Sequence, residues 1–220
     1  VFLAAMNPFG EWIWAISYSN SFQMSVIDLM VVQNDHIHLA LLHRDTLSSG
    51  GDVAPGTFSH DSIAVLVLDQ DGNHVHMKTV FSSESMDAGG SLCLDYWGQT
   101  YFATTFVESV DFGDHALSSA GGANIAVGQY NSGGWLWAAG AGGPSDATVA
   151  DCKGRNEGGV AIIGDFLQNM TFGEIEVASA VWVDFYEAHV SSNGTWLHAT
   201  GFGGSGADHA VALHLTEQGH

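Results

Sequence analysis

Apolar residues occur along the chain in short runs of strand length, and turn-forming residues separate these runs. In an early run, Trp12, Trp14 and Ile16 alternate with Ile13 and Ala15, as expected for a strand with two different faces. The later run "GVAIIGDF" is apolar on both faces, which is typical of a strand between two layers. No stretch follows the helical period, and the 28 glycines disfavour helices. The pattern predicts an all-β protein.

The runs belong to an internal repeat of about 61 residues. The pair Phe112–Gly113 recurs as Phe172–Gly173, 60 residues later, and the segments around both pairs align. A tryptophan motif marks the same period, with a histidine in its second copy, at intervals of 62, 61 and 61 residues: Trp12, His74, Trp135 and Trp196. One repeat array is therefore predicted over residues 1–220, with repeats at about 10–71, 72–133, 134–194 and, in part, 195–220.

Each repeat contains four strand-length runs, and this count favours a β-propeller blade. A β-solenoid is the alternative, but its rungs are usually shorter than the period found in this chain. The expected fold class is all-β, with β-propeller-type repeats and about three and a half four-stranded blades of roughly 61 residues each. Because Val1 aligns inside a preceding repeat, we expect the chain to be a fragment of a larger propeller.

Several motifs of the repeat resemble those of the bacterial and archaeal β-propeller repeat family of the SBBP type. These motifs are G-x-W-x-W-A, GG-x-x-D, F-G and I-A-V-x-x-Y, and they are clearest over "FGDHALSSAGGANIAVGQYNSGGWLWAAGAGG". The family's D-x-x-G-N-x-Y-V-x-G motif is only partly kept, as "DYWGQTYFATTF", and the first repeat departs most. The resemblance implies a large, often secreted protein without a common enzymatic activity. It therefore predicts a non-catalytic scaffold or binding module that is extracellular or on the cell surface.

Charge narrows the set of partners. The chain has 24 acidic and 4 basic residues, a net charge of −20, which disfavours binding to nucleic acid phosphates. The same surface suits high-salt solvent or cations. No apolar run approaches the roughly 20 residues that span a bilayer, so no membrane insertion is expected in this segment. The expected partners are a protein or glycan ligand, together with further blades of the same chain or other copies in a homo-oligomer.

The two cysteines are expected to be free thiols. Alignment of Asp95 with Asp151 places Cys93 two residues before this column and Cys152 one residue after it. The side chains would then point to opposite faces, which disfavours a disulfide bond between them.

Two H-x-H pairs form the sharpest metal-site hypothesis. His36 and His38 share one strand face, and His74 and His76 occupy the next repeat, so the four could together bind zinc. The alternative is that they are polar substitutions on an exposed face. The segment "DQDGN" (69–73) resembles the start of a calcium loop, but Val80 stands where such a loop needs glutamate, which favours a hairpin turn. No cofactor is predicted, with Ca or Zn as the alternatives.

Tryptophans divide into two groups. Trp12, Trp135 and Trp196 share one repeat column, which predicts packing between blades. Trp97 and Trp182 fall outside the column and are candidates for exposed contacts. No enzyme motif is present, so we predict no catalytic residues and no enzymatic activity. Two alternatives remain: part of a glycan-active propeller enzyme whose carboxylates converge at the ring centre, or a metal-binding propeller.

Overall fold

A computed structural model describes residues 1–32, 36–57, 59–84 and 89–216 of the chain. These residues form twenty β-strands and no helix, which confirms the all-β prediction for the described ranges. In chain order the strands are β1 (Phe2–Met6), β2 (Trp12–Ser17), β3 (Met24–Val31), β4 (Ile37–His43), β5 (Leu47–Ser49), β6 (Asp52–Ala54), β7 (Ser62–Leu68), β8 (His74–Ser82), β9 (Gly90–Leu94), β10 (Thr100–Phe106), β11 (Ser109–Phe112), β12 (His115–Ser118), β13 (Asn124–Asn131), β14 (Gly134–Ala141), β15 (Asp151–Gly154), β16 (Val160–Phe166), β17 (Asn169–Phe172), β18 (Ile175–Ala178), β19 (Asp184–Val190) and β20 (Trp196–Phe202).

Three antiparallel sheets share one strand order. The order is β3-β4-β7-β8 in the first sheet, which β11 and β12 extend beyond β8 to six strands. It is β9-β10-β13-β14 in the second sheet and β15-β16-β19-β20 in the third, while the β1–β2 hairpin precedes them. We call the first of these four strands the inner strand of its sheet and the fourth the outer strand. The inner strands β3, β9 and β15 contact one another in sequence order, so the sheets lie side by side as a row of similar units.

A short hairpin is inserted between the second and third strands of every sheet. The hairpins β5–β6, β11–β12 and β17–β18 each contact the outer strand of their own sheet. Strand β11 also pairs with β8, the outer strand of the preceding sheet, and a bridge from Gly142 to Thr171 repeats this link one sheet later. Each repeat therefore has six strands instead of the predicted four, and the two extra strands join neighbouring sheets.

The hydrophobic core lies between the sheets. Of its three clusters of buried residues, one joins the β1–β2 hairpin to the first sheet, one the first sheet to the second, and one the second to the third. Strand β7 is buried at every position because both of its faces are covered. The same holds for six of the seven residues of β16, all except Asp165, as its two-sided apolar pattern predicts.

One irregularity of pairing marks the repeat in the backbone. The register shifts within the pairing of two adjacent strands, opposite the start of the tryptophan motif, at four equivalent places: Ala5/Met6, Val67/Leu68, Gln129/Tyr130 and His189/Val190. The sequence period is therefore a structural period. In the described residues the sheets do not close into a ring or barrel, so the propeller and its number of blades stay predictions.

The prediction of free thiols is wrong, because Cys93 and Cys152 form a disulfide with their Cα atoms 5.9 Å apart. The alignment behind it was also wrong: Leu94 and Gly154 end the paired part of equivalent strands, so Asp95 corresponds to Arg155 and not to Asp151. The cysteines do lie in adjacent columns, on opposite faces of inner strands. Neighbouring stacked sheets present opposite faces to each other, and this is the arrangement that the bond requires.

Candidate functional site

The side chain of His38 lies in the interface between the first and second sheets. It is buried on β4, and its Nδ1 lies 2.7 Å from the hydroxyl oxygen of Tyr130 on β13. Tyr130 in turn packs against Trp135, with ring centroids 5.1 Å apart. The expectation of an exposed face is therefore wrong for His38, whose side chain links two sheets.

His76 lies in the same cross-strand row as His38, since both pair with Val67 in the register of the first sheet. Burial is the main reason that the pKa of each histidine falls from 6.5 to about 4. Charge repulsion between the two rings, and from His36, lowers the pKa of His38 further. At neutral pH both rings are thus neutral, and Nδ1 of His76 has no hydrogen-bond partner among the described residues.

His74 and His36 have other surroundings. Nε2 of His74 lies 3.0 Å from Oδ2 of Asp52, and the pKa of Asp52 is lowered chiefly by this bond. His36 precedes β4, and its carbonyl accepts the N–H of Val32 at 2.9 Å. Within the described ranges, no three His, Cys, Asp or Glu side chains come close enough to share a metal ion. Zinc binding by these histidines stays a prediction that the arrangement does not favour.

Tryptophans of the repeat column pack between sheets, as predicted. The indole N–H of Trp135 donates to Thr79 O at 2.9 Å, and that of Trp196 donates to Gly140 O at 3.0 Å. Both acceptors lie 56 residues earlier, on the outer strand of the preceding unit. Trp12 has no preceding unit in the structure and is 67% exposed.

The tryptophans of a second repeat column donate hydrogen bonds in the opposite direction, to the following unit. The indole of Trp14 donates to Gln70 O and that of Trp137 to Ser192 O, each at 2.9 Å, in the turn before the next outer strand. His76 occupies this column in the first sheet, and Lys78, two residues later, donates to Ser132 O at 3.0 Å instead. The motif G-x-W-x-W-A contains this column, but the sequence does not show the direction in which its indoles donate.

Two carboxylates converge on one hydroxyl at the inner strands. Ser91 Oγ lies 3.2 Å from Oδ2 of Asp28 and 3.1 Å from Oδ1 of Asp151. Asp28 also accepts the N–H of Leu92 at 2.7 Å, and Asp151 accepts that of Leu213 at 2.9 Å. Burial would raise the pKa of Asp151, but these bonds and Lys153 lower it overall. The pair therefore acts as a tether between inner strands, and the lowered pKa of Asp151 does not suit the role of a general acid.

An exposed aromatic pair lies on the turn between β9 and β10. Tyr96 is 74% exposed and Trp97 is 58% exposed, whereas the preceding Asp95 is buried. Oδ1 of Asp95 accepts the N–H groups of Trp97 at 3.0 Å and Gln99 at 2.9 Å, which fixes the turn. The pair is thus presented to solvent on a rigid support.

Asp95 also fastens this turn to the rest of the molecule. Its Oδ2 accepts the hydroxyl of Tyr101 at 2.8 Å and the N–H of Gly159, in the next unit, at 3.2 Å. Trp97 lies over Gly158, where an added Cβ atom would come within 2.0 Å of the indole. The six-membered ring of the indole therefore packs against Gly158 while the residue stays largely exposed.

Equivalent turns carry different residues. Arg155, Asn156 and Glu157 replace Asp95, Tyr96 and Trp97 in the third sheet, and the Arg155 guanidinium lies 3.0 Å from the Glu157 carboxylate. An aromatic pair found in one repeat is not required by the packing that all repeats share. Trp182, also predicted to be exposed, is exposed in the segment before β19.

No protein-family model matches this sequence, and no curated protein is significantly similar to it. The described residues contain no helix that is long and apolar enough to cross a membrane.

Proposed function

We propose that this chain is a non-catalytic β-propeller-type repeat protein, of about three and a half blades, that serves as a scaffold and binds a ligand at the turn between β9 and β10. Three similar sheets, side by side and joined by recurring side-chain hydrogen bonds, support the propeller. The motif resemblance to SBBP-type repeats supports it independently. Further blades of the same chain, or other copies, would extend the row.

The observation that carries the binding proposal is the exposure of Tyr96 and Trp97 on a turn that Asp95 holds rigid. Ordering a flexible loop costs free energy on binding, so a fixed aromatic surface binds more tightly than a mobile one. Aromatic residues are also the commonest energetic centres of binding surfaces. The ligand is a protein or a glycan, because the net charge of −20 disfavours nucleic acid.

The disulfide between Cys93 and Cys152 supports an extracellular or cell-surface location, because such bonds persist in oxidising compartments. The acidic surface would keep a secreted scaffold soluble. Asp28 and Asp151, the carboxylates that meet at the inner strands, accept backbone N–H bonds there, which favours the scaffold over the glycan-active enzyme.

Substitution of Trp97 tests the binding proposal. We expect Trp97→Ala to weaken binding by about thirtyfold or more, because truncating an aromatic energetic centre costs about 2 kcal/mol or more. The measurement is binding of the full chain to an array of neutral oligosaccharides and to intact cells. Trp182→Ala is the matched control, since it removes an exposed tryptophan elsewhere.

Binding that is equally strong in both variants would refute a site at Trp97. Unchanged thermal unfolding of both variants is needed to show that the comparison concerns the surface and not the fold.

A further inference from the structure

The third strand of each sheet begins at an equivalent buried position. Ser62, Asn124 and Asp184 open β7, β13 and β19, and the two later residues pair with Phe106 and Phe166. Asn124 and Asp184 are both 3% exposed. One repeat thus uses an amide where the next uses a carboxylate of the same shape.

In the second sheet, the amide of Asn124 is fully used. Its Oδ1 accepts the N–H of Ala120 at 2.9 Å. Its Nδ2 donates to Gly122 O at 3.2 Å and to Gly143 O at 3.3 Å, in the two loops that meet there. The two amide hydrogens therefore give both backbone carbonyls a hydrogen-bond donor although the side chain is buried.

In the third sheet, the same position has no hydrogen to give. Oδ2 of Asp184 accepts the N–H of Ala180 at 2.6 Å, as Oδ1 of Asn124 does from Ala120. Oδ1 of Asp184 takes the place of the amide nitrogen, is buried and has no hydrogen-bond partner among the described residues. A buried carboxylate oxygen without a partner strongly destabilises the fold unless a positive group meets it.

The loops beside this position carry further oxygen atoms. The carbonyls equivalent to those of Gly122 and Gly143 belong to Trp182 and Gly204. A second carboxylate is held at the same loops: Oδ2 of Asp208 accepts the N–H of Gly204 at 2.9 Å, and its own N–H donates to Val183 O at 2.8 Å. The backbone of Gly203 also lies against Oδ1 of Asp184, where an added Cβ would be 1.9 Å away.

We propose that Asp184 binds a calcium ion through Oδ1, with the Asp208 carboxylate and the loop carbonyls of Trp182 and Gly204 supplying further oxygens. Calcium accepts six to eight oxygen ligands, backbone carbonyls and water included, with flexible geometry. Two carboxylates neutralise its charge, so the site needs no third acidic side chain. The net charge of −20 raises the local concentration of cations. The competing explanation is a proton on Asp184, which would supply the missing donor.

The substitution Asp184→Asn separates these explanations, because it restores the hydrogen donor that Asn124 already provides. Thermal unfolding of the full chain at pH 7.5 is measured in EGTA and with added CaCl₂. We expect calcium to raise the wild-type midpoint by about 5–10 °C at a hundredfold excess over Kd. Asp184→Asn should lose this response, and in EGTA it should unfold about 5 °C above the wild type.

The matched control is Asp71→Asn, which removes one acidic charge from the exposed turn before β8 and should keep the calcium response. Isothermal titration with calcium should give one site in the wild type and in the control. A wild type that does not respond to calcium, or that gains stability only as the pH is lowered towards 5, would overturn the proposal in favour of a protonated carboxyl. A response lost in Asp71→Asn would place the ion elsewhere and would overturn it too.

Discussion

Trp135 and Trp12 are equivalent residues of the repeat with opposite surroundings. The indole of Trp135 is packed against Phe112, with centroids 4.7 Å apart, and donates to Thr79 O. Trp12 is largely exposed, because no preceding outer strand lies against it. The energetic weight of a repeated residue therefore depends on whether its neighbouring repeat is present.

Truncation of these two residues should have very different effects. We expect Trp135→Ala to lower the free energy of unfolding by about 3–5 kcal/mol, since it leaves a cavity and an unpaired carbonyl. Trp12→Ala should change it by about 0.5 kcal/mol or less. Urea unfolding at pH 7.5, followed by circular dichroism, measures both; similar losses would contradict the packing described between the sheets.

The buried histidines give stability a pH dependence. Below pH 6.5 the unfolded chain binds protons at His38, whereas the folded protein does not until about pH 4. Stability should therefore fall as the pH is lowered through this range, by about 2 kcal/mol between pH 7 and pH 5 for this residue. The charged or titratable groups near the ring are His36, His76 and Tyr130, and burial raises the pKa of the Tyr130 hydroxyl far above this window.

His38→Gln tests the assignment, because glutamine does not titrate but can still bond to the Tyr130 hydroxyl. The urea midpoint of this variant should change less between pH 7 and pH 5 than that of the wild type. Equal pH dependence in the two proteins would show that other groups, such as the carboxylates, cause the loss.

The surroundings of some residues could be predicted from their position in the repeat, whereas those of others could not. The packing role of Trp135 and Trp196 follows from their shared column, and the exposure of Trp97 follows from its lying outside it. The burial of His38 could not be predicted, because its partner Tyr130 lies 92 residues away in the sequence. The turn at Asp69–Asn73 was predictable from local chemistry: Asp69 accepts the N–H groups of Asp71 and Asn73, and Gly72 has a positive φ.

At the scale of elements, the inserted hairpins escaped prediction although their sequence marks them. Their strands have three or four residues, too few for a period of two to be recognised. The Phe-Gly pairs identify their turns, because Gly113 and Gly173 have φ values of 60° and 62°. These glycines also lie under Trp135 and Trp196, so one motif serves a turn and an interface.

The disulfide between β9 and β15 should stabilise the pairing of two neighbouring units. It closes a loop with a sequence separation of 59 residues, which corresponds to about 4 kcal/mol of restricted unfolded-state entropy. Reduction with dithiothreitol should lower the free energy of unfolding by about that amount. The double variant Cys93→Ala/Cys152→Ala, which cannot form the bond, should unfold like the reduced protein and not respond to the reductant.

If dithiothreitol leaves the unfolding midpoint of the wild type unchanged, the thiols are free in solution. The error of the sequence-based prediction has a geometric origin. Two cysteines on opposite faces of one sheet cannot form a disulfide. When two sheets stack, however, a cysteine on one face of the first sheet meets a cysteine on the opposite face of the second. The pattern of apolar residues along a strand does not show which sheets stack.

The whole molecule follows from repetition of one unit. Two-sided burial and the period were predictable, because each is a property of a single repeat. Closure of the row into a ring depends on the angle between successive sheets, and small rotations at each interface accumulate over the row. No local pattern encodes that angle, so the number of units in a ring could not be predicted from the strands.

Under mechanical tension, the bond between Cys93 and Cys152 would change the path of the force. A pull on the two ends of the chain would pass directly from one cysteine to the other, and the enclosed segment, with a sequence separation of 59 residues, would carry no tension. That segment would add about 200 Å to the stretched length of the reduced protein. A scaffold anchored at a surface would thus keep its aromatic turn, which lies inside the enclosed segment, in register while its flanks are pulled.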